Sequence, residues 1–205
     1  GEVDVGWAER MLSSVLVART LGLSQTESDA TTKRLGFLES ALKYDANNSD
    51  AKMQLVRVAG NSDAELTKRA IEIYDPANDV DPPANVLNEI GSQALSLGDY
   101  LKAYNYFELA NKKAPNDPEI LNNLAYIYIV GETPNPKRAL ELVDRAIQQL
   151  TNNAQKEKYT TYFFDTRAQA LIKMKRWTDA AADLETALNS RPENVDILRS
   201  LIECY

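Results

Sequence analysis

An all-α fold built by stacking repeated helical hairpins is the class this chain predicts, on three observations. The first is a spacing: Ala103, Phe107, Ala110 and Pro115 recur as Ala139, Val143, Ala146 and Thr151, and again as Ala180, Leu184, Ala187 and Pro192. The second lies upstream of each copy, where Leu87, Ile90, Gly91 and Ala94, then Leu121, Leu124, Ala125 and Tyr128, then Phe164, Arg167, Ala168 and Leu171 are spaced i, i+3, i+4, i+7. That spacing puts each set on one helical face. The third is composition, with only 8 glycines and 8 prolines in 205 residues, which favours helix. Each unit is therefore two amphipathic helices joined by a tight turn, burying its apolar faces against neighbouring units rather than around a centre.

Along the chain, residues 1–83 are helical without keeping the repeat register. Trp7, Met11, Leu12, Val15, Leu16 and Ala18 form an apolar face that ends near Leu21-Gly22, where glycine suits a helix C-cap. A second helix from about Ala30 to Tyr44 offers Leu35, Leu38, Ala41 and Leu42, and a short third begins after Ser49 and ends at Gly60. The fourth opens with a capping box, Ser62-Asp63-Ala64-Glu65, and continues through Leu66, Ala70 and Ile73. These make two degenerate hairpins. The stretch Asp75–Pro83 carries three prolines and reads as a loop, which sets the expected domain boundary at residue 83.

From residue 84 the repeat takes over. Gly98 and Asp99 form the turn of the clearest copy, and Pro115 and Pro192 follow second helices, where proline ends a helix at little cost. The pattern resembles the tetratricopeptide repeat, a helix-turn-helix unit of about 34 residues. Residues 84–117 match most fully, residues 118–151 match with a longer turn at Glu132–Pro136, and residues 161–194 match after an insertion at Asn152–Thr160. The resemblance implies a right-handed α-α superhelix. Val195, Leu198, Leu201, Ile202 and Tyr205 read as the first helix of a further unit, and with Gly1 at the other end imply a longer polypeptide. Arg167 departs from the pattern by standing in an apolar slot; its stem is expected to pack while its head pairs with Asp144 or Asp183.

Composition excludes several function classes. Net charge is −7, with nine basic and fourteen acidic side chains in residues 1–83 and fourteen and sixteen in residues 84–205. Nucleic acid is not the expected partner, because phosphate binding needs a basic face. Lys112-Lys113, Lys137-Arg138 and Lys175-Arg176 fall at helix ends, where solvation and the helix dipole account for them. No run of about 18 apolar residues is available to span a membrane. The single cysteine, Cys204, allows no internal disulfide and reads as a small core residue. Histidine is absent altogether, which removes the Ser-His-Asp and Cys-His nucleophiles and histidine metal sites. No glycine-rich phosphate loop is present either. No catalytic residue, cofactor or metal is expected, and localisation is left open.

The resemblance places partner binding on the concave face lined by the first helix of each unit. Asn85, Asn88, Ser92 and Leu95 fall there from the first repeat, Glu119, Asn122, Tyr126 and Ile129 from the second, and Tyr162, Asp165, Gln169 and Ile172 from the third. Asparagine amides can bond a peptide backbone, and tyrosines supply rigid area with a polar tip. A family subtype clamps the acidic tail of chaperones with lysines, asparagines and an arginine, and the matching slots here hold Asn88, Ser92, Asn123, Tyr162 and Thr166, without the cations. Only Asn123 agrees, so that ligand is not expected and a neutral or weakly basic peptide fits better. The reading is a non-enzymatic interaction module that scaffolds a multiprotein complex. Its alternative is the regulatory or substrate-docking arm of a larger enzyme.

Overall fold

In a computed structural model, the structure describes residues 5–23, 30–60 and 82–205. Among them are ten helices and no strand: α1 (Val5–Leu21), α2 (Ala30–Tyr44), α3 (Ser49–Gly60), α4 (Ala84–Ser96), α5 (Tyr100–Lys113), α6 (Pro118–Val130), α7 (Pro136–Gln148), α8 (Asn153–Lys173), α9 (Trp177–Ser190) and α10 (Val195–Cys204). None is long and apolar enough to cross a membrane. The expected capping box at Ser62, its helix through Ile73 and the loop from Asp75 to Asp81 lie outside the described residues. Chain contacts divide the molecule into two units, Gly1–Gln93 and Ala94–Tyr205, so the division falls within α4.

In the first unit α1 packs on α2, and α3 on both. Leu35, Leu38 and Ala41 of α2 and Ala51, Leu55 and Val56 of α3 are fully buried. The face expected to bury α1 is the wrong one. Trp7, Met11, Leu12 and Val15 are exposed, Trp7 to 61%, whereas Ser13 and Thr20 are buried. The reason is tertiary hydrogen bonding: the Ser13 hydroxyl donates to the Ala41 carbonyl at 2.9 Å and accepts from the Asn48 amide at 2.8 Å. A small side chain with both needs met lets two helices approach closely, which a tryptophan could not do. The α1–α2 connection is tied by Arg34, which donates to the carbonyls of Thr20 at 3.3 Å and Leu23 at 2.7 Å.

In the second unit each helix packs against the next in sequence, and α6 also packs on α8, its counterpart one hairpin later. The repeated alanines explain this. Ala103, Ala110, Ala139, Ala146, Ala180 and Ala187 are all fully buried, as are Phe107, Val143 and Leu184 between them. One apolar cluster runs from Phe107 and Leu124 to Phe163, and a second gathers Ala168, Leu171, Leu184 and Ile197. Side-chain caps start the helices. Asp99, Asp117, Asn135, Asn152 and Asn194 each accept a bond from an unpaired backbone N–H of the first turn. Pro118 and Pro136 occupy the first helical position, where no N–H is needed. The Asn152–Thr160 insertion is not a loop. Asn153 to Thr160 form the first two turns of α8.

Candidate functional site

The register of α6 sets Glu119, Asn122, Tyr126 and Ile129 along one face, and that of α8 sets Tyr162, Asp165, Gln169 and Ile172 along another. The structure sorts these residues by what they touch. Ile129 is buried in the first apolar cluster, with Leu95 packed against it, and Ile172 packs on the second. Those three serve the core. Glu119 accepts from the Tyr159 hydroxyl at 2.9 Å with the Lys158 ammonium 3.9 Å away, an arrangement supplied by the added turns of α8. Tyr159 in turn stacks on Phe163, ring centroids 5.2 Å apart.

What remains on the shared side of α6 and α8 is Asn122, Tyr126, Tyr162, Asp165 and Gln169. Asn122 is only 8% exposed, and its Oδ1 is buried without a hydrogen-bond partner. Tyr126, one turn on, has its phenol pKa raised by burial first and then by the nearby Asp165 carboxylate. Burial also pushes the Asp165 carboxyl above its usual range. The Gln169 amide, donating to Asp165 Oδ2 at 3.1 Å, works against that rise, and the Asp196 carboxylate of α10 adds to it. Tyr162 is exposed and carries the Arg191 guanidinium over its ring at 4.9 Å.

The opposite side of α8 is differently built. Arg167 donates from Nε and Nη2 to both oxygens of Asp183, at 2.8 and 2.6 Å, and from Nη1 to Asp144 at 3.1 Å. Its guanidinium also lies 4.7 Å from the Phe164 ring centroid. One arginine thus ties α7, α8 and α9 together, meeting both expected partners. A separate cavity of about 210 Å³ is lined by Tyr100, Leu101, Tyr104, Ile127, Tyr128 and neighbours of the α6–α7 turn. There Tyr128 has its phenol pKa pushed up to about 12, chiefly by burial.

A sequence profile of the tetratricopeptide repeat family matches residues 166–205. Those residues hold α9 and α10 and the end of α8, the same hairpin geometry that recurs through the second unit. Residues 166–205 therefore carry a tetratricopeptide repeat, and the helical hairpins of the second unit share its fold. Solved structures of this fold resemble the chain along most of its length. The pilF protein of Pseudomonas aeruginosa is 18% identical, covering 96% of this chain and 84% of its own, with a TM-score of 0.71. YrrB, described as a tetratricopeptide-repeat protein with an unusual peptide-binding site, is 15% identical over 94% of this chain and 89% of its own, with a TM-score of 0.65. A chain of the APC/C Cut9-Hcn1 hetero-tetramer is 16% identical over 98% of this chain and 40% of its own, with a TM-score of 0.70. No protein of curated function matches the sequence.

The candidates from α4 fall in the first unit apart from Leu95. Asn85 is exposed with its amide donating to Met53 Sδ at 3.3 Å, Asn88 is buried, and the Ser92 hydroxyl donates to the Asn88 carbonyl at 3.0 Å. Two groups on the α6–α8 side escaped sequence reasoning. Asp196 and Arg191 belong to the segment after Ser190, where the sequence pattern shows only the end of the third repeat and the start of a further helix. Their contribution is a matter of packing between hairpins.

Proposed function

We propose that the chain is a non-enzymatic protein-interaction module. The shared side of α6 and α8 receives a peptide or helix of a partner, and the array scaffolds a multiprotein complex. The observation that carries this reading is the Asn122 carbonyl: a buried acceptor with no partner costs free energy in the unbound protein. A bound chain supplying an N–H would satisfy it. Tyr126 and Tyr162 add rigid, half-apolar area of the kind that anchors contacts. The peptide-binding site described for YrrB supports the same use of the fold. The alternative, a docking arm of a larger enzyme, would use the same surface.

The test places a photo-crosslinking amino acid at Gln169 in one variant and at the exposed Leu109 of α5 in another. Crosslinking to a native partner from Gln169 alone is the expected result. Equal crosslinking from Leu109, or none from Gln169, would move the interaction to another face.

A further inference from the structure

The carboxylates of the second unit are not treated alike. Asp183, with its side chain 8% exposed, is gripped by both ends of the Arg167 fork, and the more open Asp144 shares the same cation. Asp165, on the same helix as Arg167 and half-buried, has for a hydrogen-bond donor only the neutral amide of Gln169 among the described residues. Taking a carboxylate out of water without a cation is unfavourable, and the cost is normally met by an ion pair or by protonation. The neighbours deepen the deficit. Asp196 adds a second negative charge, and Tyr126 presents a neutral phenol.

The arginines on this side are engaged elsewhere. Arg191 lies over the Tyr162 ring and Arg199 donates to Asp196 at 3.3 Å. Neither acts on Asp165. The same side of α6 carries a second unmet acceptor, Asn122 Oδ1, one turn before Tyr126. Carboxylate and amide oxygen ask for the same thing, a hydrogen-bond donor, and the carboxylate asks for positive charge as well. The tyrosines beside them suit the aliphatic stem and charged head of a long basic side chain.

We infer that the α6–α8 side takes a basic peptide segment of a partner protein, with a lysine or arginine of that segment seated on Asp165 beside Tyr126 and its backbone N–H meeting Asn122. This rests on the interaction surface proposed above and adds the chemistry of its occupant.

A display library of random linear dodecapeptides, selected on the full chain carrying the crosslinker at Gln169, tests both. Peptides that crosslink at Gln169 are expected to be enriched in lysine or arginine. Synthetic copies should bind Asp165→Asn about thirtyfold more weakly than the parent, the loss typical of removing one member of a desolvated charge pair. Replacing the peptide's basic residue with norleucine should cost as much against the parent and little more against Asp165→Asn. Asp179→Asn, an exposed acid of α9 paired with Arg176, serves as the control and should leave affinity unchanged. Helical circular dichroism confirms that each variant is folded. Peptides that crosslink at Gln169 without basic enrichment, or that bind Asp165→Asn equally well, would overturn the inference while leaving the surface standing. Failure of any peptide to crosslink there would overturn both.

Discussion

Arg167 shows how one residue outside the repeat pattern becomes structural. Its stem takes the apolar slot while its head neutralises an aspartate that the packing of α9 has removed from water. Arg167→Ala leaves Asp183 buried and unpaired, and should lower stability by about 3 kcal/mol or more. Asp144→Ala removes a partner that is 43% exposed and should cost under about 1 kcal/mol. Urea midpoints of the two variants check this, and equal values would show that the fork to Asp183 contributes little. Asp165 makes the opposite prediction. Its folded pKa is raised by burial, so its contribution to stability is full below the ordinary carboxylate range and is lost as pH rises through the elevated value. Asp165→Asn should therefore melt at a higher temperature than the parent at pH 7, and the gap should close near about pH 3. A variant that is more stable yet binds less well separates a functional carboxylate from a structural one.

At the scale of the element, the turns between paired helices differ in a way that can be tested. Gly98 adopts φ +78° before Asp99 caps α5, and Lys175 adopts φ 60° before Arg176, which makes no side-chain cap on α9. A left-handed conformation costs an L-residue roughly 1–2 kcal/mol, and a good N-cap contributes about 1 kcal/mol. Replacing Lys175-Arg176 with Gly-Asp should raise stability by about 1–2 kcal/mol in thermal or chemical denaturation. Gly131 is constrained for another reason, since a Cβ there would lie 2.7 Å from the Ile127 carbonyl oxygen. The alanine positions set helix spacing. Ala110→Leu should cost about 1–3 kcal/mol by overpacking, whereas Lys112→Leu at an exposed site should stay within about 0.5 kcal/mol. Asn111, beside it, is a poor control because its Oδ1 is buried.

For the molecule as a whole, stability should follow from neighbours burying one another. The first apolar cluster of the second unit takes Phe163 and Ala170 from α8, so ending the chain after Thr151 uncovers Leu142, Val143 and Ala146 on α7. Losing burial of large apolar side chains costs about 1.5–3 kcal/mol each. The truncated chain should melt well below the full one, with helices α5 to α7 least protected in hydrogen exchange. An unchanged melting temperature would mean that the hairpins do not depend on stacking.

The sequence by itself determined the helices of the second unit and the alanine contacts that space them. Those follow from residue size, capping chemistry and a period of 3.6, all of which act locally or repeat along the chain. Tertiary structure alone decided the burial of α1, where the hydrogen bonds that Ser13 donates to Ala41 and accepts from Asn48 outweighed the exposure of Trp7. It also decided that the residues after Asn152 extend α8 far enough for Tyr159 to reach Glu119. The candidate site was half legible. Asn122, Tyr126, Tyr162, Asp165 and Gln169 could be assigned to one side from register, but Ile129 and Ile172 went to the core and Asp196 and Arg191 joined unannounced. Whether a carboxylate has a cation depends on which helix packs beside it and at what height, and no spacing along a single helix encodes that.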